Sequence, residues 1–407
     1  MTAEVETSRN VRGWARLPVA ARIALIYIAA RLITTGFFLL AAGSSGPGSR
    51  YGVEPSLGEL ALGWDAQWYW LVAVSGYPAE LPVNAAGAVT ENAWAFLPVF
   101  PYLSAALGGL LGSWGAGAVT ISLLAGYGAS VGLHALLRER LGDGAATWAV
   151  VFFAAGPLAA LFQVGYAESL FLFLLFLALR GVQQRRWGWL YVLVPVMGFT
   201  RPGILAFALF LALYGILRFH RRRSDPLPRR EVIHIVALGL LSAAVGFGWQ
   251  LIAAAVTGDA GAYLATELAW RRNWIADSSG HFVPVAGWVQ AAAFWFTQWG
   301  WGPWAGYVAL VLFVLGVTAA LVFLRPVKTL GIEIRLWSAG YLVYLLLVFF
   351  PQSSVFRLLL PVSPLWGAVA VPRSTAWRVG VLGVGLIGQW WWIYNMYALA
   401  NTYWQIP

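Results

Sequence analysis

One carboxylate stands among aromatic side chains just after the first long apolar run of the chain. Residues 63–70 read Gly-Trp-Asp-Ala-Gln-Trp-Tyr-Trp, so Asp65 has four aromatic residues as near neighbours in sequence. Aromatic rings are common at the headgroup level of a membrane, whereas an acid held near hydrocarbon is costly and tends to mark function. The combination predicts acid/base chemistry on a substrate that lies partly in lipid.

Three other charged residues lie close to the ends of apolar runs: Glu168, Arg201 and Arg357. A guanidinium group matches phosphate oxygens in two-pronged geometry, so both arginines are candidates for binding an anion. For Arg201, in Phe-Thr-Arg-Pro-Gly, a tight turn with a side chain reaching the surface explains the residue equally well. An acid at a helix N-terminus is favoured by about 0.3–1 kcal/mol, which alone could account for Glu168.

The remaining charges outside the predicted cytoplasmic loops have simpler explanations. Arg271 and Arg272 lie in a later loop where aromatic and charged residues alternate, and a solvated amphipathic helix accounts well for Arg272. Arg50 has only a loop interpretation. Arg31, within the first apolar run, requires a buried partner, for which a structural role is the simplest explanation. His281 is a lone loop histidine with no second metal ligand close in sequence.

The composition is that of a polytopic, all-α membrane protein. Of 407 residues, 60% are hydrophobic and 10% charged, against about a quarter charged in soluble domains. With no cysteine there is no disulfide framework or thiolate metal site. Lys328 is the single lysine, so no phosphate-binding loop ending in Gly-Lys-Ser/Thr exists. No Asp-x-Asp triplet supports a metal-held nucleotide sugar, and the net charge of +10 requires no nucleic-acid partner.

The distribution of basic residues orients the chain in the membrane. A helix needs about 20 apolar residues to span a bilayer, and loops rich in arginine stay in the cytoplasm. With the N-terminus inside, most of the 26 Lys and Arg residues fall in cytoplasmic segments. The pattern predicts about eleven spans, near residues 19–42, 115–137, 145–164, 168–180, 187–200, 202–218, 232–256, 303–324, 334–350, 355–371 and 378–398.

The longest segment outside the predicted spans is an outer loop at 43–114, where chemistry is expected. Within it, residues 96–111 are apolar but begin with two closely spaced prolines, which favours a juxtamembrane or re-entrant helix. A later outer loop, 257–302, has a similar candidate interfacial helix. The whole chain, 1–407, is interpreted as one integral membrane domain. Its first apolar run exceeds the 7–15 residues of a signal-peptide core, although the small residues at 41–44 leave cleavage open.

Several short motifs, in chain order, resemble the PIG-V family, which comprises GPI mannosyltransferase II and bacterial relatives within the GT-C glycosyltransferases. They are Trp-Asp-Ala-Gln-Trp-Tyr at 64–69 with Ser-Gly-Tyr at 75–77, Phe-Leu-Pro-Val-Phe-Pro at 96–101, Tyr-Ala-Glu-Ser-Leu-Phe at 166–171, Thr-Arg-Pro-Gly at 200–203, Trp-Arg at 270–271 and Arg-Leu-Leu-Leu-Pro at 357–361. The motifs extend over most of the chain. Leu97, Val99 and Leu358 depart from the family pattern, which leaves the acceptor less defined than the reaction type.

The resemblance implies a GT-C-like bundle in the plasma membrane, with its active site on the outer face. It implies an inverting transfer of mannose from a polyprenyl-phosphate-mannose donor to a glycolipid, glycan or protein acceptor. Asp65 would be the catalytic base. The implied substrate-binding residues are Trp64, Gln67, Trp68, Tyr69, Tyr166, Glu168, Arg201, Trp270, Arg271 and Arg357. No cofactor is defined, and a role for a divalent cation, Mg²⁺ or Mn²⁺, stays open.

Other classes of protein share some of these features. A lipid or glycolipid flippase or transporter would also carry arginines within the membrane and acids at its surface, but it should show internal repeats with paired broken helices. No convincing repeat is visible in the sequence. An inactive scaffold with the same fold, or an enzyme that uses another polyprenyl-phosphate sugar, also fits the pattern.

Overall fold

The computed structural model describes residues 17–272, 282–349, 351, 353–401 and 407, with the backbone alone at 271–272. Its regular structure is helical, as expected. The α-helices are α1 Val19–Ser44, α2 Leu57–Ala61, α3 Asp65–Ser75, α4 Val99–Leu111, α5 Trp114–Ala154, α6 Glu168–Gln183, α7 Leu190–Gly198, α8 Ile204–His220, α9 Arg229–Thr257, α10 Ala262–Arg272, α11 Ala286–Gln298, α12 Pro303–Phe323, α13 Arg325–Lys328, α14 Ile332–Val348, α15 Val355–Leu358, α16 Trp366–Ala370 and α17 Thr375–Ile393.

Four of the described helices are long and apolar enough to cross a membrane. They are α1, α5, α9 and α12. This supports the predicted membrane class but does not confirm the predicted count of eleven spans. The span expected at 115–137 lies within α5, and the one expected at 145–164 begins in α5 beyond a kink at Gly142, with φ 78° and ψ 169°, and continues past the end of α5 at Ala154. Glycine reaches this conformation without a Cβ clash.

The segment predicted as a span at 355–371 is not one continuous α-helix. The segment instead consists of α15, a 3₁₀ turn at Leu360–Leu365 and α16. Pro361 and Pro364 explain the break, because proline lacks an N–H and its ring clashes with the preceding turn of an α-helix. The consequence is an irregular segment that directly follows Arg357.

Arg31 has the structural partners that its buried position requires. Its side chain is 7% exposed, and its guanidinium donates to the backbone carbonyls of Ala154 and Ala159. Ala154 is the last residue of α5, where backbone carbonyls lack their usual intrahelical donors, and Ala159 begins the 3₁₀ turn that follows. Arg31 thereby holds α1 against the end of α5.

Helices α4 and α5 pack with their backbones in close approach. A Cβ added at Gly117 on α5 would lie 2.2 Å from the carbonyl oxygen of Ser104 on α4, whereas one added at Gly109 would meet no atom within 4 Å. The absence of a side chain at Gly117 therefore allows α4 to pack closely on α5.

Replacing Gly117 with alanine should lower the melting temperature of the detergent-purified protein, because overpacking typically costs about 1–3 kcal/mol. The control Gly109→Ala should be neutral or slightly stabilising, since alanine is favoured over glycine in a helix by about 0.5–1 kcal/mol. Tryptophan fluorescence during heating measures both. Equal melting temperatures for the two variants would contradict the close approach.

Candidate active site

Four charged residues from distant parts of the sequence meet in one buried cluster. Arg357 Nη1 lies 2.5 Å from Asp65 Oδ2, and its Nε lies 3.4 Å from Glu168 Oε1. Arg201 Nη1 lies 2.8 Å from the same oxygen of Glu168. We call these four residues the charge cluster. Asp65 is the most accessible member, with 21% of its side chain exposed, so it is the carboxylate best placed to meet a ligand.

Asp65 is the first residue of α3 and its position depends on a strained residue before it. Trp64 has φ 53° and ψ −123°, a backbone conformation that residues other than glycine rarely adopt. It persists where the surrounding structure imposes it. The Trp64 indole donates to the carbonyl of Met396 at 3.0 Å, and the Asp65 amide donates to the Tyr166 hydroxyl at 3.4 Å. These contacts fix the start of α3.

Glu168 and Arg201 occupy the places that local structure predicts for them. Glu168 is the first residue of α6, where an acid is favoured by the helix dipole. Arg201 lies in the turn between α7 and α8, which Gly203 completes with φ 133°. The turn and the helix N-terminus account for the backbone positions, but each side chain is also the ionic partner of the other.

Arg357 is held in α15 by contacts around it. The hydroxyl of Tyr341 donates to the carbonyl of Leu358 at 2.8 Å, and the Arg357 guanidinium carbon lies 5.5 Å from the centre of the Tyr166 ring, within reach of a cation–π interaction. Tyr166 thus contacts both the base candidate and its arginine partner. The direct pairing of Arg357 with Asp65 was not anticipated from the sequence.

The charges of the cluster balance, since two guanidinium groups face two carboxylates. Burial raises the pKa of the Asp65 carboxyl, and the Arg357 guanidinium opposes that rise. The second oxygen of Glu168, Oε2, is buried without a hydrogen-bond partner among the described residues. A ligand hydroxyl would satisfy this atom, because buried carboxylate oxygens are normally paired.

The donor set does not fit a metal centre. Among the described residues, no group of three or more His, Cys, Asp or Glu side chains could hold a metal ion. Both carboxylates of the cluster already face a guanidinium group. A cation that depends on three or more such side chains therefore has no ligand set within the described part of the chain.

Trp68, on the same helix as Asp65, packs with Phe96 and Trp270, and we call these three rings the aromatic wall. Trp68, one turn along α3, stacks on Phe96 with ring centres 5.6 Å apart and meets Trp270 of α10 edge-on at 5.7 Å. The Trp270 Nε1 is buried without a hydrogen-bond acceptor among the described residues. Phe96 belongs to a motif but was not predicted as a site residue, because its contact with Trp68 depends on the tertiary fold.

The other predicted substrate-binding residues differ in accessibility. Gln67 is exposed and accepts from Arg50 Nη2 at 2.9 Å. Tyr69 is buried against the rings of Phe96 and Phe100, each about 5.1 Å away, so it supports α3 from within the core. The side chain of Arg271 and the whole of His281 lie outside the described residues.

An apolar cavity of about 500 Å³ begins beside Arg357. The residues flanking this arginine, Phe356 and Leu359, line it together with Phe153, Trp366, Trp391 and Trp392. The Phe356 and Trp392 rings meet edge-on at 6.2 Å. The cavity therefore offers hydrocarbon-like surface along the segment that contains Arg357, although none of the four residues of the charge cluster lines it. Sequence reasoning missed it because its walls come from three separate segments.

Comparison with solved structures identifies the fold. The chain superposes on ArnT from Cupriavidus metallidurans bound to undecaprenyl phosphate with a TM-score of 0.50 and 16% identity, over 91% of this chain and 63% of that one. The oligosaccharyltransferase of Archaeoglobus fulgidus gives 0.42 and 14%, over 91% and 52%. The chain thus has a GT-C-like fold and spans less than two thirds of the ArnT length. No family model matches it, and no curated protein sequence does.

Replacing Glu168 with glutamine should lower the melting temperature markedly, because it leaves Arg201 buried without its carboxylate. Breaking a buried ion pair typically costs roughly 3–5 kcal/mol. Adding Arg201→Gln should recover part of the loss, since the isolated charge is then gone. A double-mutant cycle on thermal unfolding measures this coupling, and strictly additive effects would mean that the two side chains do not interact.

Proposed function

We propose that this protein is an inverting glycosyltransferase that takes a sugar from a polyprenyl-phosphate donor. The observation that supports this best is a buried cluster of two acids and two arginines, together with an apolar cavity lined by Phe356 and Leu359, which lie one residue before and two residues after Arg357 in the chain. Such a site suits a substrate with a long hydrocarbon tail and a phosphate. The GT-C-like fold is consistent with it, and the ArnT structure of that fold is bound to undecaprenyl phosphate.

In this proposal the donor tail occupies the apolar cavity and its phosphate meets Arg357 and Arg201. The tail would pass from bilayer hydrocarbon to hydrocarbon-like protein surface, so packing contacts rather than removal from water would position it there. Guanidinium groups bind phosphate through charge-assisted hydrogen bonds. Both arginines are already paired with carboxylates, so the phosphate must compete with Asp65 and Glu168 for them.

Binding of the donor phosphate to Arg357 would make Asp65 a stronger base. When the donor phosphate takes over Arg357, Asp65 loses the guanidinium that lowers its pKa and becomes more basic. The acceptor hydroxyl then attacks the anomeric carbon while its proton passes to Asp65. The bond between that carbon and the phosphate oxygen breaks, and the lipid phosphate leaves with the electron pair, its charge compensated by arginine. One displacement inverts the anomeric centre, and no covalent intermediate forms.

The acceptor would lie between the aromatic wall and Glu168. Sugar rings present C–H faces that pack well on aromatic side chains such as Trp68 and Trp270, and the buried Nε1 of Trp270 could donate to a sugar hydroxyl. The unpartnered Oε2 of Glu168 would accept from another. The proposed acceptor is a glycolipid, glycan or protein.

We further propose mannose as the sugar and the outer face of the plasma membrane as the place of transfer. Mannose follows from the six motifs that resemble the PIG-V family. The outer location follows from the positive-inside distribution of arginine, which puts the charge cluster on the side opposite the basic loops. Trp64, Gln67, Tyr69 and Arg271 would then support or border the substrate.

Asp65→Asn should reduce the rate of sugar transfer by about 10²–10⁴, the usual contribution of general-base catalysis. Transfer of radiolabel from polyprenyl-phosphate-mannose in membranes measures it. The matched control is Glu80→Gln, an exposed acid of the same loop, which should retain full activity. Equal transfer by wild type and Asp65→Asn would refute the assignment of the base, and no transfer by wild type would refute the donor.

The pH dependence of the reaction should report the Asp65–Arg357 contact. Transfer requires ionised Asp65, so kcat/KM should fall as the pH drops through the raised pKa of that carboxyl. Arg357→Gln removes the group that lowers this pKa and should move the acidic limb to higher pH. Arg357→Lys keeps the charge and should leave the limb near its wild-type position. An unchanged limb in Arg357→Gln would show that another group titrates.

A further inference from the structure

A second, polar cavity lies at the far end of α6 from the charge cluster. Its volume is about 510 Å³, and Arg185, Arg186, Trp187, Arg230, Glu231 and His234 line it. Since α6 begins at Glu168 and ends at Gln183, a rise of 1.5 Å per residue separates the two sites by roughly 24 Å. We call this the arginine cavity. No residue of the proposed transfer reaction reaches it.

Ion pairs hold the walls of the arginine cavity together. The buried Arg218 donates to both carboxylate oxygens of Glu231, at 3.0 and 3.1 Å, and also pairs with Asp225. Arg185 donates to Asp225 at 2.5 Å. Arg185 has φ 53°, at a helix end where glycine is the usual residue, so its backbone is strained in the position that makes this contact. Both acids are thereby occupied.

Two cations are left over at the mouth of the cavity. The side chains of Arg186 and Arg230 are exposed, and among the described residues neither has a carboxylate partner. Both arginines line the same cavity, and a guanidinium group can bind phosphate oxygens in two-pronged geometry.

His234 adds a fixed donor inside the cavity. Its Nδ1 lies 3.0 Å from the Tyr191 hydroxyl, and its ring stacks on Trp187 at 6.3 Å with an interplanar angle of 13°. When Tyr191 donates to Nδ1, the ring proton resides on Nε2, so the neutral imidazole is itself a hydrogen-bond donor. An anion in the cavity would therefore meet N–H donors of Arg186, Arg230 and His234.

We propose that the arginine cavity binds the phosphate of an anionic membrane lipid. The cavity lies where α9, one of the four membrane-length helices, begins at Arg229, which puts it at headgroup depth. Basic pockets between such helices on the cytoplasmic side are suited to anionic headgroups. A bound lipid would join the α6–α7 connection to the start of α9 and complete the charge balance of this end.

Binding to the full-length, delipidated protein in detergent tests the proposal. The probes are short-chain phosphatidylglycerol, short-chain phosphatidylcholine and inorganic phosphate. The cavity variant is Arg186→Ala with Arg230→Ala. The matched control is Arg222→Ala with Arg223→Ala, which removes the same charge from exposed positions of the neighbouring loop that do not line the cavity.

Phosphatidylglycerol should bind wild type and the control pair with similar affinity and the cavity variant about tenfold or more weakly, because charge-assisted hydrogen bonds are lost. Phosphatidylcholine should bind all three weakly. Equal losses in both variants would overturn the proposal, since binding would then reflect general attraction to the basic face. Displacement of the lipid by inorganic phosphate at similar concentration would overturn the lipid as the source of the phosphate. Matching melting temperatures for the two variants exclude misfolding.

Discussion

The ion pairing of two acids with two arginines in a nearly dry site constrains this molecule more than any other feature. An isolated buried charge is so unfavourable that each member must find an opposite charge. Asp65, Glu168, Arg201 and Arg357 come from four separate elements, so their pairing requires α3, α6, the α7–α8 turn and α15 to converge. The proline-broken chain after Arg357 makes that convergence feasible, because a straight helix there would be far stiffer.

Balanced charge also determines how the site can respond to a ligand. The two guanidinium groups of the cluster are already engaged by carboxylates, and in the proposed reaction the phosphate exchanges with one of these carboxylates. In the proposed reaction this exchange is useful, because the carboxylate displaced from Arg357 is the one assigned as base. Charge-assisted hydrogen bonds from the arginines to the donor phosphate would drive the exchange. The resting ion pair and the reactive base are then two states of the same contact.

The sequence identified the four residues of the charge cluster as site candidates, but it did not show which of them pair with each other. Asp65, Arg201 and Arg357 stood out because charge is rare on the side of the membrane that basic residues avoid, a property readable residue by residue. The Asp65–Arg357 contact spans nearly the whole chain, and the strain at Trp64 and the wall formed with Phe96 arise only from tertiary packing. The apolar composition of residues 355–371 suggests one helix, whereas Pro361 and Pro364 divide the segment into shorter pieces.

The two ends of α6 differ in how well their positive and negative side chains are matched. At Glu168 the cations are matched by acids, so the site is neutral and selective for a ligand that can replace a carboxylate. Beyond Gln183, Asp225 and Glu231 satisfy Arg218 and Arg185, but Arg186 and Arg230 remain in excess. Surplus positive charge on one side fixes orientation in the membrane, and a surplus gathered around a cavity also attracts a bound anion. Charge matching at one end and charge excess at the other thus suit a reaction site and an anchoring site, respectively.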